Sequence, residues 1–273
     1  MLNKWDQSAA RLELSTEGSR LAIIGSTRIM IVDLRTTSQA IVQTISYHDG
    51  ATAYLSASHG TVYINDSGTV WQFTPTSGES RVIIGSGVRD LAIVDESLVI
   101  ISDQSTLPLQ LVDVKSGVVT GADLTAITGN ARFVATRGRI VIMRDGHDTF
   151  LFDATRRELS RLAIEDITEV EFVPDGTIAT LRSLTDVWEL NVNDRQSTLV
   201  RRISDLRGAS RLPGVDMAFI LSARSLEAVD PLYPSAQAGS YEIGQDFSGL
   251  AAITDNVLML WSDSAIELLS FSD

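Results

Sequence analysis

The chain has 273 residues with 22 basic and 35 acidic side chains, a formal net charge of −13, and no cysteine. At 44% hydrophobic and 21% charged it is too apolar for intrinsic disorder and too interrupted by charge for a membrane span. Its acidity argues against phosphate backbones and anionic lipid, which need concentrated Lys and Arg, and the lack of cysteine removes thiolate catalysis, disulfides and Cys-ligated zinc.

Met1 to Trp5 read as a short strand, and the following Asp6-Gln7-Ser8 offers no apolar stretch, so no secretory signal is read and a cytoplasmic location is expected. Arg11-Leu12-Glu13-Leu14 alternates, Glu17-Gly18-Ser19 turns, Leu21 to Ile24 is a continuous apolar run, Ile29 to Leu34 is a third strand and Ala40-Ile41-Val42 an outer one. The apolar run of a second strand returns at Leu98–Ile101, Ile140–Met143, Ala218–Leu221 and Val257–Trp261. Runs of this length suit strands covered on both faces, and no segment carries helical spacing for more than a turn or two.

These strands belong to a repeat. Ile31-Val32-Asp33, Gln72-Phe73-Thr74, Leu111-Val112-Asp113, Leu151-Phe152-Asp153, Glu189-Leu190-Asn191, Ala228-Val229-Asp230 and Leu268-Leu269-Ser270 each close a third strand on a small polar residue. The spacing is about 40 residues, so seven units account for the whole chain. A period of this size built from strands predicts an all-β, seven-bladed β-propeller of four-stranded antiparallel blades, one domain over residues 1–273. The last unit has room for three strands, Leu250–Ile253, Val257–Trp261 and Ile266–Phe271, so the N-terminal strand is expected to complete it and remove an open edge.

Two units carry a family resemblance. His48 before a first strand, Asp66-Ser67-Gly68-Thr69 at a second turn and Phe73-Thr74 closing a third strand resemble a degenerate WD repeat, and Phe172-Val173-Pro174-Asp175-Gly176 is similar to that family's Phe-Ser-Pro-Asp-Gly turn. The resemblance implies a rigid platform for protein interactions, usually without catalysis.

Candidate binding residues follow from the loops. Asp66, Asp103, Asp145, Asp186 and Asp263 fall between second and third strands, and Asp49, Asp166, Asp205 and Asp246 between units. In a propeller both loop sets share one face, so the charges would ring one channel mouth and attract a basic peptide or protein. The competing explanation is local: Asp is favoured in turns because its side chain caps backbone N–H groups. Asp230-Pro231-Leu232-Tyr233-Pro234 opens the longest connection, through Ser240, and Tyr233 and Tyr241 are candidate aromatic anchors. Arginines cluster at Arg156, Arg157 and Arg161 and at Arg201, Arg202, Arg207 and Arg211, as edge protection or as a basic patch.

Catalytic signatures are missing: there is no Gly-x-Ser-x-Gly elbow, no phosphate-binding Gly-x-x-x-x-Gly-Lys and no dinucleotide Gly-x-Gly-x-x-Gly leading into a helix. Asp145-Gly146-His147-Asp148 offers at most three ligands in one turn without calcium-loop spacing, so no metal and no cofactor are expected. The expected function is a non-enzymatic interaction module, a monomer outside any complex, binding protein or peptide and neither nucleic acid nor membrane. Two alternatives stand beside it. One is a channel-site hydrolase, lactonase- or glycosidase-like, drawing on the inner-strand acids Glu13, Asp90, Glu169 and Glu171. The other is a sensor or adaptor domain of a larger protein.

Overall fold

The computed structural model describes residues 11–14, 20–33, 41–56, 61–74, 78–95, 97–103, 106–121, 126–128, 130–173, 176–235, 237–254, 256–262 and 265–271. They form seven antiparallel sheets. Sheet 1 holds β1 (Arg11–Leu14), β2 (Arg20–Ile24), β3 (Arg28–Asp33) and β4 (Ile41–Ser46). Sheet 2 holds β5 (Thr52–Leu55), β6 (Val62–Asp66), β7 (Thr69–Thr74) and β8 (Glu79–Ile84). Sheet 3 holds β9 (Val88–Val94), β10 (Ser97–Ser102), β11 (Leu109–Asp113) and β12 (Val119–Gly121). Sheet 4 holds β13 (Arg132–Arg137), β14 (Ile140–Asp145), β15 (Asp148–Asp153) and β16 (Glu158–Glu165). Sheet 5 holds β17 (Glu169–Phe172), β18 (Ile178–Arg182), β19 (Asp186–Asn191) and β20 (Gln196–Arg202). Sheet 6 holds β21 (Gly208–Leu212), β22 (Met217–Leu221), β23 (Ser225–Val229) and β24 (Gln237–Glu242), and sheet 7 holds β25 (Gly249–Thr254), β26 (Val257–Trp261) and β27 (Ile266–Ser270). The N-terminal strand expected to complete sheet 7 lies outside the described residues. A single helical turn, Pro213–Val215, is present among the described residues, and no helix there is long and apolar enough to cross a membrane.

The repeat marker has a physical cause. Six of the seven polar residues end the third strand of their sheet, and in sheet 6 the strand stops at Val229, one residue before Asp230. Four of them, the Asp and Asn markers whose side chains are described, start the next turn by accepting a backbone N–H: Asp113 from Ser116, Asp153 from Thr155 and Arg156, Asn191 from Asn193, and Asp230 from Leu232. This is the Asx-turn chemistry that favours Asp and Asn there. The Ser116 amide also holds the Asp113 carboxyl below the usual carboxylate range.

The chain divides into two compact units, residues 1–132 and 133–273. Within each, adjacent sheets bury a layer of aliphatic side chains between them. In the first unit Ala22, Ile29 and Ile31 meet Ala53, Val62 and Ile64 between sheets 1 and 2, and Tyr63 and Val70 meet Leu98 and Ile100 between sheets 2 and 3. In the second, Ile142, Leu151 and Ile164 meet Ala179, Leu181 and Leu190 between sheets 4 and 5. Val187 and Val200 meet Ala218 and Ile220 between sheets 5 and 6, and Phe219 and Leu226 meet Leu258 and Leu260 between sheets 6 and 7. A middle sheet is therefore apolar on both faces, which is why its second strand reads as an unbroken apolar run. In β22 of sheet 6 the residues Ala218, Phe219, Ile220 and Leu221 are all buried.

The outer strands are bulged. In sheets 1, 2, 4, 5 and 6 the pairing of third and fourth strands contains a register shift. Bulges twist an exposed edge away from regular pairing, so these edges are poor templates for an added strand.

Candidate functional site

The same bulge aims two tryptophans. Trp71 and Trp188 occupy one repeat position, three residues before the markers Thr74 and Asn191, and in both sheets the register shift falls at the step into the tryptophan. Trp71 faces Ile64 and Val82 across its sheet, and Trp188 faces Leu181 and Leu199. Each ring lines a groove between its own sheet and the preceding one.

The larger groove, about 1160 Å³, lies between sheets 4 and 5. Arg161 and Ala163 of β16 form one wall, Trp188 lies against the aliphatic layer, and Leu184 in the β18–β19 turn stands at the border. Leu184 is 78% exposed and stands beside Trp188 along the groove. Most of the charge in this groove is already paired. Arg202 grips Asp186 with two hydrogen bonds of 2.6 and 3.0 Å, which hold the Asp186 carboxyl below its usual range. Arg161 reaches Asp148, and Arg144 donates to the Ile167 carbonyl at 3.2 Å. Arg195, from the β19–β20 turn, fastens the start of β16 through Glu158 at 2.6 Å and through Ser160.

The smaller groove, about 380 Å³, lies between sheets 1 and 2 and is lined by Tyr47, His48, Asp66, Trp71, Phe73 and Ser80, among others. Asp66 closes β6 at a two-residue turn in which Ser67 and Gly68 both have positive φ, the geometry of a type I′ hairpin. A side chain at Gly68 would come within 3.1 Å of the Gly87 backbone nitrogen, so the turn requires glycine twice over.

The turn aspartates are tied to the neighbouring inter-sheet loops. His48 Nδ1 lies 2.7 Å from Asp66, His147 Nδ1 lies 2.6 Å from Asp166, and Asp205 accepts the Ala223 amide at 3.1 Å. The Asp166 carboxylate raises the His147 imidazole above its ordinary value. Asp103 is exposed and its amide donates to the Gly87 carbonyl, Asp145 ends β14 half-buried, and Asp263 lies outside the described residues. Asp66, Asp103, Asp145 and Asp186 each belong to a different sheet, so what the structure adds is which local partner each has. No group of three His, Asp or Glu positioned for a metal ion occurs among the described residues.

The expected long connection after Asp230 is shorter than the sequence suggests. β24 begins at Gln237, pairing through Gly239 and Ser240 with Ala228 and Glu227, so Tyr241 belongs to an outer strand rather than to an inserted loop. Tyr233 remains in the connection and is 66% exposed; Tyr241 is 51% exposed. The clustered arginines mostly pair with acids: Arg201 with Glu227, Arg207 with Asp246, and Arg211 with Glu189 and Asp216. Burial pushes the Glu189 carboxyl up against the opposing pull of Arg211.

The inner-strand acids also have partners. Asp90 accepts from the Tyr54 hydroxyl at 3.2 Å, and Glu169 pairs with Arg182. Glu171 accepts from the Ser210 hydroxyl and the Ala252 amide, and that amide lies 3.0 Å from Ser210 Oγ. Three first strands, β17, β21 and β25, are joined this way. Burial pushes the Glu171 carboxyl up to about 7. The side chain of Glu13 lies outside the described residues.

The grooves are not legible in the sequence because Trp71, Trp188 and Leu184 carry no motif. The available signal is a tryptophan three residues before the marker in two of seven repeats.

No family model matches the chain, and no curated protein matches it. Solved structures do. The chain is similar to KlHsv2 with loop 6CD replaced by a Gly-Ser linker, at 10% identity over 96% of each chain and a TM-score of 0.59. It is similar to the β-propeller domain of Myceliophteria thermophila Cps50 (Swd1), at 12% identity over 98% of each chain with a TM-score of 0.58. It is also similar to Kuenenia stuttgartiensis hydrazine synthase, at 12% identity over 100% of this chain and 98% of the other, with a TM-score of 0.57. The fold is that of a β-propeller, with seven antiparallel sheets as its blades.

Proposed function

We propose that this protein is a non-enzymatic interaction module that takes an extended peptide or protein loop into the groove between sheets 4 and 5. The supporting observation is Leu184, a leucine 78% exposed at the border of a groove of about 1160 Å³ beside Trp188. A tryptophan already seated on the core and a leucine in open solvent together bind an apolar side chain at little ordering cost, while paired arginines at the rim keep water structured around it. Because β16 is bulged, the partner is recognised through side chains rather than by strand addition.

The test is selection of peptides from a displayed random library on the whole chain, followed by affinity measurement with Leu184→Asp and Asp103→Lys. Leu184 is so exposed that its replacement leaves the fold nearly unchanged, within about 0.5 kcal/mol. Peptides bound in the groove lose about tenfold or more in affinity with Leu184→Asp and nothing with Asp103→Lys. The opposite pattern would transfer the binding role to the turn aspartates and overturn the proposal.

A further inference from the structure

The groove between sheets 1 and 2 is the counterpart of the peptide groove, and its chemistry differs in one respect. Between sheets 4 and 5, Trp188 shares its groove with a carboxylate, Asp186, that already holds an arginine of the chain, Arg202. Between sheets 1 and 2, Trp71 shares its groove with a carboxylate, Asp66, that holds no arginine among the described residues. Asp66 there takes hydrogen bonds from His48 at one oxygen and from the exposed Ser67 hydroxyl, a long 3.2 Å, at the other.

The walls are prepared for a flat or cationic group. Trp71 is 37% exposed, so part of its ring is open to solvent. Tyr47 is pinned because its hydroxyl donates to the carbonyl of Gly25, with the Arg28 carbonyl a further 3.3 Å contact. Phe73 packs on the aliphatic layer with Ile64. Aromatic faces are negative and attract cations, most strongly the indole, and a carboxylate at the mouth completes the attraction. An anion would meet Asp66, and a neutral apolar group would strip water from that carboxylate without replacing its hydrogen bonds.

We infer that this groove is a receptor for a basic side chain, an arginine presented by a partner protein, stacked on Trp71 and hydrogen-bonded to Asp66. The planar guanidinium suits both contacts at once, since it stacks on an aromatic face and offers parallel N–H groups to a carboxylate. Arg202 on Asp186 supplies the intramolecular precedent for the carboxylate half of this contact. The site is separate from the peptide groove and does not depend on it.

The experiment follows the indole N–H signals of the whole chain by NMR while acetyl-Gly-Arg-Gly-amide is added, with the Trp71 signal assigned by Trp71→Phe. The expected result is a saturable shift of Trp71 with a Kd of about 1 mM. The neutral citrulline peptide, nearly the same shape, shifts it at least tenfold less. Asp66→Asn, which keeps the side-chain shape and whose folding is checked by its thermal melt, weakens the arginine peptide at least fivefold, while Leu184→Asp leaves it unchanged. Equal shifts by the arginine and citrulline peptides, or full affinity in a folded Asp66→Asn, would overturn the inference. Loss of binding in Leu184→Asp would overturn it too, by placing the peptide in the other groove.

Discussion

Replacing Glu171 with glutamine should make the protein less sensitive to rising pH. The Glu171 carboxyl is buried among β17, β21 and β25, and its folded value is about 7 against 4.5 for an ordinary glutamate. Because the folded state holds the proton more tightly than the unfolded chain, stability falls as pH rises between those values. At 1.36 kcal/mol per unit, a difference of about 2.5 units corresponds to roughly 3 kcal/mol lost between pH 4.5 and pH 8. Solvent reaching the carboxyl lowers this toward about 2 kcal/mol. The charged groups around it do not hide the effect: Glu169, on the same strand, reinforces it, Arg182 of β18 is engaged by Glu169, Arg211 of β21 is engaged by Glu189 and Asp216, and β25 carries no charged side chain. A glutamine in its place would preserve the side-chain shape and an acceptor oxygen for Ser210 and Ala252 without a titrating proton. Urea midpoints measured at pH 5, 6, 7 and 8 should therefore diverge, with Glu171→Gln close to wild type at pH 5 and about 2–3 kcal/mol more stable at pH 8. Parallel pH profiles for the two proteins would refute the reasoning, since they would mean that Glu171 titrates alike folded and unfolded.

Two further outcomes are expected. Gly249→Ala places a Cβ 2.3 Å from the Trp261 ring, so the variant should lose about 1–3 kcal/mol, read as a thermal midpoint several degrees lower, and Trp261→Phe in the same chain should recover part of it. The His147 imidazole should titrate above 6.5 by NMR and fall back with Asp166→Asn; its pairing contributes stability below about pH 6.5 that is lost as pH rises through the raised value, and an unshifted titration would rule the pairing out.

The architecture is legible in the sequence because each of its causes is local. Asp or Asn recurs at the end of third strands because its side chain caps the turn that follows, and an unbroken apolar run marks a second strand because that strand is covered on both faces. Val257–Trp261 is a strand to the residue, whereas the outer strand expected over residues 40–42 runs over Ile41–Ser46, its boundary moved by pairing with β3 across a bulge. What the sequence does not disclose depends on contacts between repeats. Glu171, Ser210 and Ala252 meet at intervals of about one repeat, and nothing in their local context marks them as partners. The Arg201–Glu227 pair is hidden for the same reason, so a run of arginines reads as a basic patch although Arg201, Arg202, Arg207 and Arg211 each face an acid.

That pair also shows how one gap between sheets is bridged. Glu227 stands at the repeat position held by Trp71 and Trp188, three residues before its marker Asp230. In the gap between sheets 5 and 6 the outer strand of one sheet reaches this position directly: Arg201 Nε is 2.9 Å from Glu227, a half-buried ion strap across the gap. A tryptophan at this position has no charge to receive such a strap. The ring instead lines a groove above the aliphatic layer that packs the sheets together. At this repeat position a glutamate accompanies a bridge in sheet 6, and a tryptophan lines a groove in sheets 2 and 5. A bridge needs a charge of either sign opposite its complement, whereas a groove needs a rigid apolar surface part of which stays open to solvent. The grooves at Trp71 and Trp188 thus leave open, beside an indole, the place that Arg201 and Glu227 close between sheets 5 and 6.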